Sequence, residues 1–240
     1  MKVAIIGATS AIAEAAARRF AAEGATIFLA ARDQAKLRVV ADDLRARGAA
    51  DVITHTADFA EVAKHDAIVR AAGKVDVVLI AYGTLPDPKA IETDPAAQIA
   101  AFELNATSVI SMASRFANAL EEQRSGTLAV IGSVAGDRGR RSNYVYGAAK
   151  AAVHAWCDGA RGRLRRKGVA VALIKPGWVS TPMTAHMRRN PLFATADSAG
   201  AAVHDAIARK RRVAYVPSWW SLVSLVVRVV PSAILDRLPL

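Results

Sequence analysis

A tyrosine and a lysine stand four residues apart, at Tyr146 and Lys150, in the stretch SNYVYGAAK of this 240-residue chain. If the stretch is helical, at about 3.6 residues per turn, the two side chains lie on one face and can share a cleft. Tyr144 lies six residues before the lysine and falls on a different face. Tyrosine has an ordinary pKa of about 10, and a neighbouring ammonium favours its phenolate form. The pair is therefore a candidate for acid–base chemistry.

The pair must be positioned by a fold, and short apolar runs alternate with alanine-rich segments of helical spacing along the chain. Six runs are predicted strands and a seventh is expected near the end: KVAIIG, TIFLAA, DVITHTAD, VDVVLIAYG, GTLAVIGS, VAVALIKPG and RVAYVP. This alternation predicts an α/β fold, a Rossmann-type doubly wound parallel sheet of about seven strands with helices on both faces. We expect residues 1–217 to form one domain.

The composition is that of a globular protein, with 53% hydrophobic and 22% charged residues. Cys157 is the single cysteine, which excludes an internal disulfide and a cysteine-based metal cage. No metal site is predicted. The apolar run after Met1 is too short for a signal peptide and passes into a glycine turn, so we expect a cytoplasmic protein.

The chain carries a formal net charge of +11, with 32 basic against 21 acidic residues. The basic residues concentrate in three segments, at 160–168, 187–191 and 208–212. Few aromatic residues interleave with them, and no helix-turn-helix or zinc signature is present, so a nucleic-acid partner is not predicted. The clusters are either solvated helix ends or a means of attraction to an anionic membrane or a phosphorylated substrate.

The last segment, 218–240, differs from the rest because residues 219–230 are apolar apart from two serines and Arg228. As a helix, this run would be roughly 18 Å long, short of the ~30 Å needed to span a bilayer. Two interpretations stay open. The segment packs on the domain or on a second copy, or it lies at a membrane surface with Trp219 and Trp220 among the headgroups.

The first strand is followed by GATSAIA, where a helix N-terminus could bind a pyrophosphate. Its spacing retains only Gly7 of a three-glycine loop, with Ala11 and Ala13 at the other two positions. An alanine disfavours positive φ, so this motif is a weak signal on its own.

Residues at other positions strengthen the signal of the GATSAIA motif. Ser133 ends the fifth predicted strand, Asn105 lies in the helical stretch AFELNATSVI, and KPGWVST follows the sixth strand. Together with Tyr146 and Lys150, these features resemble the short-chain dehydrogenase/reductase family over residues 1–184. The resemblance implies that the tyrosine donates a proton to a carbonyl oxygen that the serine holds. It also implies that the lysine binds the nicotinamide ribose and lowers the tyrosine pKa, and that the asparagine supports a relay water.

The same resemblance implies a dinucleotide site. Its expected contacts are Gly7, Thr9, Ser10, Ile12, Asp58, Ala81, Gly83, Tyr146, Lys150, Pro176, Gly177, Val179 and Thr181. Ala31 stands where an acidic residue would favour NAD(H), and Arg32 follows it, so NADP(H) is expected; Asp33 keeps NAD(H) open. The segment IAYG replaces the asparagine-rich motif that is usual after the fourth strand.

A narrower resemblance rests on SVAGDRGRRSNYVYGAAKA, KPGWVSTPMTAHM, RRNPLFAT and the ending RLPL. The subgroup that these segments resemble reduces a polyprenyl-phosphate-linked 2-keto-pentose. Arg138, Arg140 and Arg141 then lie near a phosphate, or they belong to a solvated loop. A soluble ketone or a 3-oxoacyl substrate, and a non-catalytic dinucleotide sensor, are the alternatives. The family also implies a homodimer or homotetramer formed through the helix that carries Tyr146.

Overall fold

The computed structural model describes residues 1–235 and contains a central parallel sheet of seven strands. Residues 1–235 contain nine strands in all, seven in this sheet and two outside it: β1 Lys2–Ile6, β2 Thr26–Ala31, β3 Asp51–Thr56, β4 Val77–Ile80, β5 Gly126–Ile131, β6 Val169–Pro176, β7 Val179–Ser180, β8 Ala194–Thr195 and β9 Val213–Val216. The central sheet has the order β3-β2-β1-β4-β5-β6-β9, and β7 pairs with β8 in a separate small sheet. All seven predicted strands therefore lie in the central sheet. The ending RLPL lies outside the described residues.

Helices cover both faces of the sheet. They are α1 Ala11–Ala22, α2 Gln34–Ala46, α3 His65–Ala72, α4 Pro88–Ile91, α5 Pro95–Phe102, a π-helix Glu103–Ser108, α6 Val109–Gln123, α7 Tyr144–Arg165, α8 Ala196–Ala208, α9 Trp220–Val229 and α10 Ser232–Leu235. Each parallel connection carries its chain across one face of the sheet. The predicted doubly wound α/β architecture is confirmed.

Alternate strand residues point to opposite faces and form two apolar cores. Val3 and Ile5 pack with α1, α2 and α8 on one face. Ala4 and Ile6 pack with α3, α6 and α7 on the other. Small residues bring α1 and α8 very close, since a Cβ on Gly200 would lie 2.4 Å from the Cβ of Ala15.

The strand order reverses at β1, which pairs with β2 on one side and β4 on the other. In an open parallel sheet, this reversal opens a crevice at the carboxyl ends of the strands. The turn after β1, which begins with Gly7, lies at this crevice. The topology therefore places the predicted phosphate turn where a ligand can enter.

Helix α9, which follows the last strand of the sheet, has one face against the domain and one in solvent. Trp220 and Ser224 are buried, and the carbonyl oxygen of Arg228 accepts a hydrogen bond of 2.7 Å from the guanidinium of Arg138. Large apolar side chains on the other face are exposed: Leu222, Leu225, Val226 and Val229. Within residues 1–235, no helix has both the length and the apolar character needed to cross a membrane.

Candidate active site

A cavity of about 710 Å³ runs along the carboxyl ends of the central strands. Most of the predicted site residues line it: Gly7, Thr9, Ser10, Ile12, Arg32, Ala81, Gly83, Ser133, Tyr146, Lys150, Pro176, Gly177, Val179 and Thr181. Two predicted residues do not. Asn105 is buried behind Gly83, and Asp58 is exposed, with its carboxylate accepting a hydrogen bond of 3.0 Å from the backbone N–H of Ala60.

Tyr146 and Lys150 lie one turn apart on α7. The Lys150 Nζ is 5.6 Å from the centre of the Tyr146 ring and donates a hydrogen bond of 3.2 Å to the carbonyl oxygen of Ile131. Ser133 follows β5, and its Oγ accepts a hydrogen bond of 3.1 Å from the N–H of Ala135. The end of β5 and the first turns of α7 thus bring the serine, the phenol and the ammonium to one wall of the cavity.

Burial controls the acidity of both ionisable groups. It raises the pKa of Tyr146 to about 12, with a hydrogen bond from Ser133 acting in the opposite direction. It also lowers the pKa of Lys150 to about 8, since an ammonium loses hydration in the interior. The expectation that the lysine lowers the tyrosine pKa stays a prediction, and the lowering contribution that the structure shows comes from Ser133. At neutral pH the phenol keeps its proton and can donate it.

Asn105 lies in the π-helical segment, a departure from the α-helix that is frequent at functional sites. Its Oδ1 accepts a hydrogen bond of 2.9 Å from the N–H of Thr84, and its Nδ2 donates one of 2.9 Å to the carbonyl oxygen of Ala101. A Cβ on Gly83 would lie 2.6 Å from that Oδ1. The asparagine therefore holds the backbone that follows β4 against the cavity.

The turn after β1 has the geometry of a phosphate cradle. Gly7 has a φ of +93°, and a Cβ there would lie 2.7 Å from the backbone nitrogen of Tyr82. Ser10 is the N-cap of α1 and makes no side-chain capping bond, so the N–H groups of the first turn face the cavity without a partner from the helix. Ala11 is the first residue of α1, so it needs no positive φ. These features fit a dinucleotide pyrophosphate.

The far end of the cavity is lined by Arg32 and Lys36. Between them, Asp33 is the N-cap of α2, and its Oδ1 accepts a hydrogen bond of 3.0 Å from the N–H of Lys36. Its other oxygen lies 3.8 Å from the Lys36 ammonium. Asp33, the residue for which NAD(H) remained an alternative, is thus already bonded within the protein. Sequence reasoning missed Lys36, although its place one turn after Arg32 was a usable signal.

Comparison with known proteins adds to this geometry. The profile of the short chain dehydrogenase family matches residues 1–192. The chain belongs to the short-chain dehydrogenase/reductase family. An uncharacterized oxidoreductase of Mycobacterium tuberculosis is 36% identical to it over 99% of this chain and 96% of the relative. A second uncharacterized oxidoreductase, from Streptomyces coelicolor, is 35% identical over 98% of this chain and 94% of its own length. The chain is thus an NAD(P)H-dependent oxidoreductase.

Solved structures agree with the fold of this short-chain dehydrogenase. An actinorhodin polyketide ketoreductase variant with NADPH gives a TM-score of 0.80 at 25% identity, covering 91% of this chain and 96% of the other. A short chain dehydrogenase from Burkholderia cenocepacia in complex with NADP gives 0.85 at 20% identity, covering 100% and 97%.

This dehydrogenase uses an aromatic contact where the asparagine-rich motif is usual. The Tyr82 ring stacks on Phe59 with 4.4 Å between ring centres, and its hydroxyl lies 2.8 Å from the Oγ of Ser108. Ser108 in turn donates a hydrogen bond of 2.5 Å to the carbonyl oxygen of Phe59. Burial raises the pKa of Tyr82, so the hydroxyl stays neutral. These three residues join β4 to the loop after β3.

One side of the cavity, here named the apolar wall, is largely apolar, and sequence reasoning did not predict it. Its members include Leu85, Leu104, Trp178, Met183 and Met187. Trp178 stacks on Phe193 at 5.6 Å and meets Trp220 edge-on at 5.5 Å between ring centres, so α9 supports this wall. Tyr144 does not line the main cavity; it is exposed and borders a small groove with Pro86 and Pro88.

Proposed function

We propose that this short-chain dehydrogenase reduces a ketone to a secondary alcohol with NADPH. The observation that carries the proposal is the meeting of Ser133, Tyr146 and Lys150 at the wall of a cavity that begins at the N-terminus of α1. Tyr146 donates its proton to the carbonyl oxygen, Ser133 holds that oxygen by a hydrogen bond, and Lys150 holds the ribose next to the nicotinamide. When bound, the cofactor supplies the hydride.

Asn105 positions this machinery rather than reacting. Its side chain is already bonded to Thr84 and Ala101, so it fixes the chain after β4 behind the cavity floor. The water-relay role implied by the family belongs to the same region, because Gly83 separates the asparagine from the Lys150 ammonium. Pro176, Gly177, Val179 and Thr181 then form the nicotinamide side, and Asp58 is left with a role at the adenine edge.

NADP(H) is the proposed cofactor, with NAD(H) the weaker one. Arg32 and Lys36 together offer two cations to a 2′-phosphate, whereas the Asp33 carboxylate caps α2. The solved relatives with NADPH or NADP in their crystals support the same choice.

The test is the rate of NADPH oxidation with a panel of ketones, measured beside NADH and with the Tyr146→Phe variant. We expect NADPH-dependent turnover, and a loss of about 10²- to 10⁴-fold in kcat for the variant. NADPH affinity, measured by its fluorescence, should change little, because the substitution removes only the hydroxyl. Unchanged turnover in Tyr146→Phe would remove the proposed proton donor. Tight NADPH binding with no turnover of any ketone would favour the sensor.

The finer substrate proposal is the polyprenyl-phosphate-linked 2-keto-pentose of decaprenylphosphoryl-2-keto-ribose reductase. It is supported by the net charge of +11 and by the exposed apolar face of α9 beside the apolar wall. In this proposal residues 218–240 form a peripheral contact with the cytoplasmic face of a membrane. Flotation with anionic liposomes tests it: Leu222→Ser with Val229→Ser should lose binding that the wild-type chain shows. Equal flotation of both proteins would contradict it.

A soluble ketone or 3-oxoacyl compound is the alternative substrate, and the fold likeness to a polyketide ketoreductase favours it. The ketone panel separates the two, since only the alternative predicts efficient turnover without a lipid chain. We also propose a homodimer or homotetramer through α7, which sedimentation at several protein concentrations tests. A monomer at all concentrations would exclude this assembly.

A further inference from the structure

Three arginines lie between Ser133 and Tyr146, and their surroundings differ. Arg138 donates a hydrogen bond of 2.7 Å to the carbonyl oxygen of Arg228 and is held against α9. Arg141 is exposed and does not line the cavity. Arg140 lines the cavity, and its Nε is buried without a hydrogen-bond partner among residues 1–235.

A second buried polar atom beside the same cavity is also unpaired. The Oδ1 of Asn143 has no partner among the described residues, and Asn143 caps α7 without a side-chain hydrogen bond. The N–H of Asn143 donates a hydrogen bond of 3.0 Å to the carbonyl oxygen of Arg140, so one turn of backbone holds both residues. A donor that carries charge and a neutral acceptor thus lie six and three residues before the catalytic tyrosine.

A buried polar atom without a hydrogen-bond partner destabilises the folded protein, and more so when it is charged. Arg140 forms no salt bridge within the described chain, and burial lowers its pKa because no carboxylate offsets the loss of water. The nearest acidic residue in sequence, Asp137, is already bonded to Lys175 and Tyr215. Among residues 1–235, no carboxylate therefore pairs with Arg140.

We propose that Arg140 binds an anionic oxygen group of the ketone substrate, a phosphate or a carboxylate, and that Asn143 accepts a hydrogen bond from a neighbouring hydroxyl. The substrate class is a hydroxylated keto phosphate or keto acid. This inference rests on the proposed function, and it names one arginine of the three as the residue that selects charge. The anionic group is soluble or carries a lipid chain, and the experiment distinguishes these.

The kinetic test compares ribulose 5-phosphate with ribulose, which differ only in the phosphate. We expect the wild-type enzyme to prefer the phosphate, and Arg140→Gln to reduce the ratio of the two kcat/KM values by about tenfold or more, the effect of one charge-assisted hydrogen bond. Arg141→Gln is the matched control and should keep the wild-type ratio. No preference in the wild-type enzyme, or an equal ratio in Arg140→Gln, would overturn the inference and leave ketone reduction intact.

Binding can be tested even if no ketone is turned over. Isothermal titration of ribulose 5-phosphate into protein saturated with NADPH avoids competition from the cofactor phosphates, and affinity should fall in Arg140→Gln. Titration of farnesyl phosphate and inorganic phosphate under the same conditions identifies the source of the anionic group. Tighter binding of farnesyl phosphate than of ribulose 5-phosphate points to a lipid. Equal binding of these two compounds points to a soluble metabolite. Absence of binding by all three would overturn the subsite.

A stability measurement separates a ligand-binding arginine from a structural one. Without ligand, the unpaired guanidinium stabilises nothing, so Arg140→Met should leave Tm unchanged or raise it. A clear decrease in Tm would mean that Arg140 is structural and would contradict the proposal.

Discussion

The two halves of the molecule differ in the polarity of the side chains that they bury around the cavity. The half formed by β1, β2, β3, α1 and α2 has an apolar interior, and no polar or charged side chain before His65 is among the buried residues. The half formed by β5, β6, β9 and α7 buries Lys150, His154, Arg161 and Lys175. The first half presents backbone groups at a helix N-terminus to the cavity, whereas the second places a buried ammonium, that of Lys150, at its wall.

Two of these buried groups, His154 and Lys175, belong to a network around Asp137. Its carboxylate pairs with the Lys175 ammonium and accepts a hydrogen bond of 2.9 Å from the hydroxyl of Tyr215. His154 Nδ1 lies 3.6 Å from the same carboxylate, and its Nε2 lies 3.5 Å from the backbone nitrogen of Ser133, the donor in that contact. The network therefore joins β6, β9 and α7 to the backbone of Ser133, so its ion pairs also fix the position of that serine at the cavity wall.

The largest expected effect breaks this network. Asp137→Asn leaves the Lys175 ammonium buried without its anion and should cost about 3–5 kcal/mol of stability. Asp43 gives a matched comparison in the first half, where it pairs with Arg18 and Arg47 at the surface, both at 2.8 Å. Asp43→Asn should cost less than about 1 kcal/mol, since exposed ion pairs contribute little. Urea unfolding measures both, and equal losses would remove the contrast between the halves.

The next effect concerns acid stability. Burial, aided by the charge of Lys175, lowers the pKa of His154 to about 4 from an ordinary value of 6.5. The unfolded chain therefore takes up the proton first, and stability falls as pH decreases from 6.5 to 4. The loss amounts to roughly 3 kcal/mol at about 1.4 kcal/mol per pKa unit. His154→Gln should flatten this part of the stability curve in urea titrations between pH 4 and 7; an unchanged slope would contradict the assignment.

A backbone change tests the first half. Gly7→Ala combines a φ of +93° with a Cβ that would lie 2.7 Å from the backbone nitrogen of Tyr82, and should cost about 2–3 kcal/mol and weaken NADPH binding. Gly24 is the control because it has a φ of +71° but open space around it. Gly24→Ala should cost about 1 kcal/mol and leave NADPH affinity unchanged. Thermal unfolding and NADPH fluorescence measure both, and similar effects would show that the close approach to Tyr82 is unimportant.

The local sequence pattern was sufficient to predict the strands of the sheet and the pairing of Tyr146 with Lys150. Each strand of a buried parallel sheet is a short apolar run, so seven such runs predicted seven strands. The four-residue spacing of Tyr146 and Lys150 placed them on one helix face without any tertiary information. The glycine turn after β1 was predicted in the same way, although its alanines were judged unfavourable because the exact start of α1 could not be read from the sequence.

Properties that depend on distant residues were not predictable. The pKa of Tyr146 follows its burial, which no spacing along the chain reveals. Arg138, Arg140 and Arg141 look alike in sequence, but α9, the cavity and solvent give them three different surroundings. The pairing of Asp137 with Lys175 likewise joins residues 38 positions apart. Charges near the site acquire their roles from tertiary contacts.

The smallest effect sharpens the comparison at the far end of the cavity in the first half, where the charged side chains Arg32 and Lys36 are exposed. Arg32→Ala should lower the preference for NADPH over NADH by about tenfold, since it removes one of two cations from the 2′-phosphate position. Lys36→Gln should have a smaller effect, because its ammonium also lies 3.8 Å from Asp33. The ratio of kcat/KM values for the two cofactors measures this. A ratio unchanged in both variants would place the 2′-phosphate elsewhere, and the first half would then bind its cofactor through backbone groups alone.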